Sequence, residues 1–296
     1  MTTLIEAVES GQGIERPFRC TEHEDHMASA SVNVVKGVWF CHACHASGAI
    51  DKKKAPKVAE LQQMMEPEKI PRIYDPLFLE LYNQPGDYWL SRFSEWAAWF
   101  TGLGEDPFTG DAIFPVHTGN GLLAGVGRRH VNPEDGVSRY LYPKGWSAAS
   151  SLFGMGGQYH QVDVLTVVEG AADATACWEV GMPALATYGS GFHLPQFELV
   201  ARCNPKLLLY GFDMDDAGRR ATNCAEASLQ GRYITARIDW RPGGDPAEAT
   251  PKQRVSAILE AVASAGDTRD ADEACYRMED LVRAIRHDYK ESMEDR

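Results

Sequence analysis

Two runs, VDVLTVVEGAADA at 162–174 and KLLLYGFDMDDAGR at 206–219, decide how this chain folds. Each opens on a short apolar stretch and closes on acids: Glu169 in the first, Asp213, Asp215 and Asp216 in the second. Short apolar runs bounded by Gly and followed by helical patterns read as buried parallel strands of an α/β unit. The alternation continues across 160–246, with strands predicted at 162–168, 183–187, 206–212 and 233–240 and helices at 171–180, 196–201 and 217–230. That order predicts a mostly parallel sheet with right-handed crossovers. Sites on such sheets form at the carboxyl ends of the strands, so Glu169, Asp213 and Asp215 are expected at one edge. Residues two apart share a side if the strand stays extended through them, which is the condition for Asp213 and Asp215 to act together. Clustered carboxylates repel one another unless a cation is present, and a hard ion such as Mg2+ or Mn2+ prefers oxygen ligands. Such an ion polarises a phosphoryl oxygen and lowers the pKa of an attacking hydroxyl. Asp173, one helical turn after Glu169, and Asp245, after the last strand, are read as supporting acids. The plain alternative is that these acids only cap the helices that follow, a role open to Asp215 or Asp216.

Upstream, Cys20-Thr21-Glu22-His23 and Cys41-His42-Ala43-Cys44 are two x2 half-sites separated by 17 residues that read as strand–turn–strand. Zinc takes four N/S ligands tetrahedrally, and the x2 spacing lets a tight knuckle present two of them. Residues 1–50 therefore read as a zinc ribbon holding one structural Zn2+ through Cys20, His23, Cys41 and Cys44. His26, His42 and His45 are rivals, but His23 alone stands at x2 from Cys20. A unit of this size buries too little apolar surface to fold without its metal. A short helix is expected around Leu4, Ile5 and Val8. Residues 51–75, with Lys52, Lys53, Lys54, Pro56, Pro67 and Pro71, read as a charged linker.

Residues 76–158 predict helices around Leu77–Tyr82, Tyr88–Phe93 and Trp96–Phe100, then a hairpin of strands at 111–117 and 122–130 and a third strand at 138–142. Arg128, Arg129, Arg139 and Lys144 make a local basic group that suits phosphate or nucleotide contact, with Gly125 and Gly127 allowing close backbone approach. Residues 247–296 read as a helical cap, with a polar break at 265–272 and a frayed tail from Glu291.

Net charge is −13. That excludes a protein that coats nucleic acid nonspecifically but not one with a local basic face. Seven scattered cysteines do not form a disulfide framework. No apolar run reaches the ~20 residues of a membrane helix, and the N-terminus has no basic-then-apolar leader pattern. A cytoplasmic protein is expected, in the host cytoplasm if the source is viral, with no membrane partner.

The motifs Glu169-Gly170-Ala171-Ala172-Asp173-Ala174 and Asp213-Met214-Asp215-Asp216-Ala217-Gly218-Arg219 resemble the TOPRIM domain of topoisomerases and bacterial-type primases. Cys20, His23, Cys41 and Cys44 resemble the CHCC zinc ribbon of those primases. Between them, Gly125–Arg129, Arg139-Tyr140-Leu141 and Ser151-Leu152-Phe153-Gly154 resemble the primase N-terminal subdomain, and Gly243-Gly244-Asp245-Pro246 the segment that closes its TOPRIM. The resemblance spans roughly 15–250 in the family's order. It implies a zinc ribbon, a mixed α+β primase subdomain, an α/β TOPRIM domain over 159–246 and a small helical end. It implies a DNA primase: a DNA-directed RNA polymerase making short RNA primers on single-stranded template from ribonucleoside triphosphates, with a separate replicative helicase as partner. Glu169, Asp213 and Asp215 would hold the magnesium; Arg129 matches the arginine of the family's Gly-Gly-Arg run, and Arg139 stands where a lysine is usual. There are departures: 140–152 is shorter than in cellular primases, Tyr142-Pro143 replaces Asn-Ser, and no G-x4-G-K-[ST] occurs. They suggest a compact bacteriophage or mobile-element form. Two other functions fit parts of the pattern: a TOPRIM nuclease using the same acids on water, and a non-catalytic protein that binds single-stranded DNA.

Overall fold

The computed structural model describes residues 3–10, 15–24, 28–34, 37–50, 71–133, 137–154, 156, 160–189, 191–229, 231–241, 244–266 and 268–294. Most of the lysine-rich linker, His26 and Gly243 lie outside them. The chain divides into two compact units, 1–69 and 70–296.

In the first unit, α1 (Leu4–Ser10) precedes a four-stranded antiparallel sheet of β1 (Glu15–Phe18), β2 (Ala30–Asn33), β3 (Val38–Cys41) and β4 (Ser47–Ala49), in that spatial order. Ala30 pairs with Cys41 across β2 and β3, so the strand–turn–strand between the half-sites is a true hairpin. The core is small: Ala7, Val8, Phe18, Val32, Val34 and Ile50 around Cys20 and Cys41. Arg16 is buried in it, donating to the carbonyls of Ala7 (3.1 Å) and Val8 (2.6 Å). A cation there satisfies orphan carbonyls near the end of α1.

The second unit begins with a 3-10 turn (Pro76–Tyr82), whose first N–H groups are capped by Asp75, followed by α2 (Asp87–Leu90) and α3 (Glu95–Thr101). An antiparallel sheet follows: β5 (Gly104–Glu105), β6 (Ala112–His117), β7 (Leu123–Arg129) and β8 (Tyr140–Leu141), with β8 at one edge. The hairpin and third strand expected from sequence are present, though β8 is shorter. Phe114 stands opposite Gly127, and a Cβ on Gly127 would lie 2.2 Å from its ring. The glycine makes room for an aromatic side chain, not for a ligand.

The parallel sheet runs β10–β9–β11–β12: β9 (Val164–Val168), β10 (Ala184–Ala186), β11 (Leu207–Tyr210) and β12 (Ile234–Arg237). All three pairings are parallel, with Tyr210 opposite Val167. Alternate residues face opposite layers. Leu208 and Tyr210 pack with Leu165 and Val167 against α5 (Leu194–Cys203) and α6 (Asp216–Leu229). Leu209 and Val168 pack against α4 (Ala171–Glu179) and α7 (Pro251–Ala265). Burial on both faces is why these strands read as continuous apolar runs. The same core takes in Trp89 and Trp96 of the preceding helices and Phe93 between them.

The helical end differs in detail from its reading. α8 (Thr268–Glu294) resumes almost at once after Gly266, so the break is short, and the helix continues past Glu291. Arg254 of α7, 2% exposed, binds Glu179 (2.5 Å) and the Pro246 carbonyl (2.8 Å), while Glu179 also accepts from the Ser94 N–H (2.6 Å). This buried pair locks the Asp245-Pro246 turn to α4 and α3. No helix among the described residues is long and apolar enough to cross a membrane.

Candidate functional site

β9 ends at Val168 and presents Glu169; β11 ends at Tyr210, and Gly211 and Phe212 carry the chain to Asp213. Because the strands are neighbours, the Gly211 N–H reaches the Val167 carbonyl (2.9 Å) and the Asp213 N–H approaches Glu169 Oε1 (3.4 Å). Glu169 and Asp213 thus meet at the sheet edge. Asp173 lies behind them, buried, its carboxylate accepting from the Gly170 N–H (2.9 Å). Asp245 closes the edge from the opposite side; its turn is anchored where the Met214 N–H meets the Gly244 carbonyl (2.9 Å) and the Glu248 N–H meets Asp245 Oδ1 (2.8 Å).

Asp215 departs from the expected arrangement. The strand does not stay extended through it, so the two-apart argument does not apply. Its Oδ1 accepts from the Gly218 N–H (2.8 Å), making it the N-cap of α6, and Asp216 is the first helical residue. Its carboxylate is exposed beside the other acids. The oxygens of Glu169, Asp213 and Asp215 do not gather within 4.8 Å of one another, unlike the Cys/His set of the ribbon. A wide edge suits magnesium, which keeps several waters and takes one or two carboxylates plus substrate phosphates.

The electrostatics point to a cation. Asp213 Oδ1 is buried with no hydrogen-bond partner, and an acceptor in that state is costly unless a proton or metal ion meets it. Burial, then the charges of Asp245, Asp215 and Glu248, push Asp213 up to about 6. Burial, then Asp213, push Glu169 up to about 7, against the relief given by the Asp213 N–H. Asp173 is raised well above the usual carboxylate range, first by burial and then by Asp213 and Asp245. Both Glu169 and Asp213 lie above their ordinary values of 4.5 and 3.8. The folded state therefore holds more protons than the unfolded chain between about pH 4 and 7, and metal-free stability falls as pH rises through that window. Thermal unfolding with and without MgCl2 should show little gain from the ion at pH 5 and a gain of about 2–4 °C or more at pH 8. A gain independent of pH would contradict the coupling.

Gly218 is the motif glycine that sequence alone leaves unexplained. A Cβ there would lie 2.1 Å from the Asp213 carbonyl oxygen, a backbone atom that cannot swing away. Gly218→Ala should displace the Asp213 loop and lower activity about 10²-fold with only a small change in melting temperature; full activity in this variant would show that the loop tolerates the shift.

The basic group divides. Arg128 binds Asp111 (3.1 Å), Thr109 (2.7 Å) and Asp106, so its guanidinium is committed within the fold. Two aspartates from the turn after β5 were not recognisable as its partners in sequence. Arg129 lies over the rings of Tyr88 (5.0 Å) and Tyr140 (5.2 Å) and donates to the Tyr140 hydroxyl. Arg139 and Lys144 are exposed and make no ion pair among the described residues.

In the ribbon, the ligand atoms of Cys20, His23, Cys41 and Cys44 all lie within 4.8 Å of one another. Cys20 Sγ and Cys44 Sγ are 3.7 Å apart, matching the ~3.8 Å edge of a tetrahedron with Zn–S of about 2.3 Å. His23 turns Nδ1 toward the Glu24 carbonyl (3.2 Å) and Nε2 toward Cys41 Sγ (3.3 Å), the arrangement in which an outer partner fixes a ligating ring. Burial pushes the Cys20 thiol up to about 11. At Cys41 burial also raises it, but hydrogen bonds from Ser29, the Cys44 and Ala43 backbone and His23 win and bring it down to about 5. His42 and His45 flank the exposed Phe40 and stand outside the cage. The residues fit zinc.

Residues 166–250 match the Toprim-like family. A DNA primase of Deinococcus radiodurans is 28% identical over 186 residues, covering 59% of this chain and 31% of the relative. The chain thus spans about a third of that relative's length. Among solved structures, the zinc-binding and RNA polymerase domains of the Aquifex aeolicus primase align over 98% of both chains, with a TM-score of 0.53 at 17% identity. The primase fragment of the bacteriophage T7 primase-helicase protein aligns over 83% of this chain and 98% of its own, with a TM-score of 0.46 at 17% identity. Fold and site together define a protein with a ribbon whose Cys/His cluster fits zinc and a Toprim-like domain with an acidic sheet edge. Its fold is similar to that of the Aquifex aeolicus zinc-binding and RNA polymerase domains.

Proposed function

We propose that this chain is a DNA primase that synthesises short RNA primers on single-stranded DNA by divalent-metal-dependent nucleotidyl transfer. The observation that carries the reading is the buried, partnerless Asp213 Oδ1 beside Glu169, at the strand ends of a TOPRIM sheet set in a primase architecture. A divalent ion bound there supplies polarisation of the nucleotide α-phosphate and a lowered pKa for the primer 3′-hydroxyl. Glu169 and Asp213 would hold this ion, and with both carboxyls raised toward neutrality in its absence, binding would be coupled to proton release. Asp173 orients the start of α4 through the Gly170 N–H, and Asp245 adds negative charge on the far side. Asp215 fixes the first turn of α6 through one carboxylate oxygen, and the other would add to the negative charge that holds the ion. Arg129, Arg139 and Lys144 hold template or nucleotide phosphates.

The ribbon's zinc is structural, and the ribbon reads the start site on the template. The protein acts in the cytoplasm and works with a separate replicative helicase. The same acids in a nuclease would need neither the ribbon nor the basic group.

Templates carrying each defined trinucleotide, incubated with four ribonucleotides and MgCl2, should yield primers from a subset of sequences. Equal products from every template would remove the ribbon from start-site choice. Shortened DNA without RNA would favour the nuclease.

A further inference from the structure

The edge strand β8 and the segment after it carry a run of rings. Tyr140 and Tyr142 are stacked at 6.4 Å with 13° between planes, and Tyr142 stacks on Trp146 at 5.0 Å and 24°. Tyr140 is 39% and Tyr142 38% exposed, although ring stacks of this kind ordinarily close into a core. The Trp146 N–H is anchored to the His117 carbonyl (3.0 Å), which fixes the far end. Tyr188 meets Trp146 edge-on at 4.8 Å. It follows β10 with φ of +63°, and its neighbour Gly189 donates to the Glu169 carbonyl (3.0 Å). The rings therefore run from the sheet edge outward to the exposed end of β8.

Charge selects the partner. Arg129 stands directly across from Tyr140 in the β7–β8 pairing, on the same face. Its Nε is buried without a hydrogen-bond partner, and no carboxylate pairs with it among the described residues. Arg139 and Lys144 bracket Tyr140 and Tyr142 in sequence and are exposed. Exposed parallel rings beside unpaired cations, on a chain of net charge −13, match the pattern by which single strands are held: bases stack on rings while phosphates meet the cations. The Tyr140–Tyr142 separation is close to twice the ~3.4 Å spacing of stacked bases.

We propose that Tyr140, Tyr142 and Trp146 form a base-stacking platform that takes unpaired template bases and leads the strand toward the Glu169–Asp213 edge. This rests on the primase reading but has its own test. Fluorescence anisotropy of the full chain compares a dT oligonucleotide with an abasic strand of equal length, across a salt series. Wild type should bind dT at least about fivefold more tightly than the abasic strand. Tyr140→Leu/Tyr142→Leu should lose about that factor on dT, leave abasic binding and the salt slope unchanged, and be rescued by Tyr140→Phe/Tyr142→Phe. Equal binding of both strands by wild type would overturn the platform, as would equal losses on both strands in the leucine variant. A raised ribonucleotide KM with unchanged strand affinity would move the rings to the incoming nucleotide and overturn the template assignment. Wild type that prefers dT but makes no RNA would count against the primase reading alone.

Discussion

Asp213→Asn should abolish the proposed RNA synthesis, by about 10³-fold or more, while the protein stays folded. The size follows from what is removed: one of two carboxylates that meet at the strand ends, and the charge that would stabilise a reacting phosphoryl group through its ion. Stability moves the other way. The carboxyl is pushed up to about 6 by burial and by neighbouring acids, so at pH 8 it is a charge held against its environment. The neutral amide relieves that strain. Metal-free Asp213→Asn should therefore melt at or above wild type at pH 8, and lose much of the stabilisation that magnesium gives wild type. A variant that had simply misfolded would melt lower. Unchanged synthesis would remove Asp213 from the mechanism.

Loss of a metal from the ribbon's Cys/His cluster should have the other large effect. A unit of about 50 residues supplies no more than ~3–5 kcal/mol from its core. Here that core is a handful of small and medium side chains around two of the ligands. Structural zinc contributes ~10–16 kcal/mol in zinc-finger peptides, so zinc bound here would decide whether the unit folds. Cys41→Ser should drop zinc from one per chain to near zero and expose the first unit to protease, while the second unit keeps its own melting transition. Template-directed initiation should fall at least about tenfold. His42→Ala should keep its zinc, because His42 stands outside the cage. Zinc content in Cys41→Ser equal to wild type would contradict the ligand set.

What the sequence made legible was governed by local rules. Strands buried on both faces had to be apolar runs, so β9 and β11 and the acids beyond them were plain. Two x2 half-sites flanking a hairpin could be matched to one tetrahedral ion. What was hidden depended on contacts distant in sequence. β1 was missed because Glu15-Arg16-Pro17-Phe18 carries a charge that becomes buried only when Arg16 finds the carbonyls of Ala7 and Val8. Arg128 looked like a free cation until Asp106 and Asp111 folded onto it. Asp215 looked like a partner of Asp213 on one strand face, but the chain turns first and makes it a cap. The cause lies in Gly218, whose missing side chain lets α6 start against the Asp213 backbone. Tyr140 was read only as a strand residue within the resemblance and Tyr142 only as a departure from it; their stacking and exposure emerge once β8 is seen as an edge strand.

The most direct test is a single incubation. Wild type and Asp213→Asn are each given unlabelled single-stranded DNA, labelled ribonucleoside triphosphates and MgCl2, and the products are resolved before and after alkali. Wild type should produce short, alkali-labile oligomers that require both template and metal, and Asp213→Asn should produce none. Absence of RNA from wild type across a full set of templates, with the DNA shortened instead, would contradict the assignment of this edge to primer synthesis.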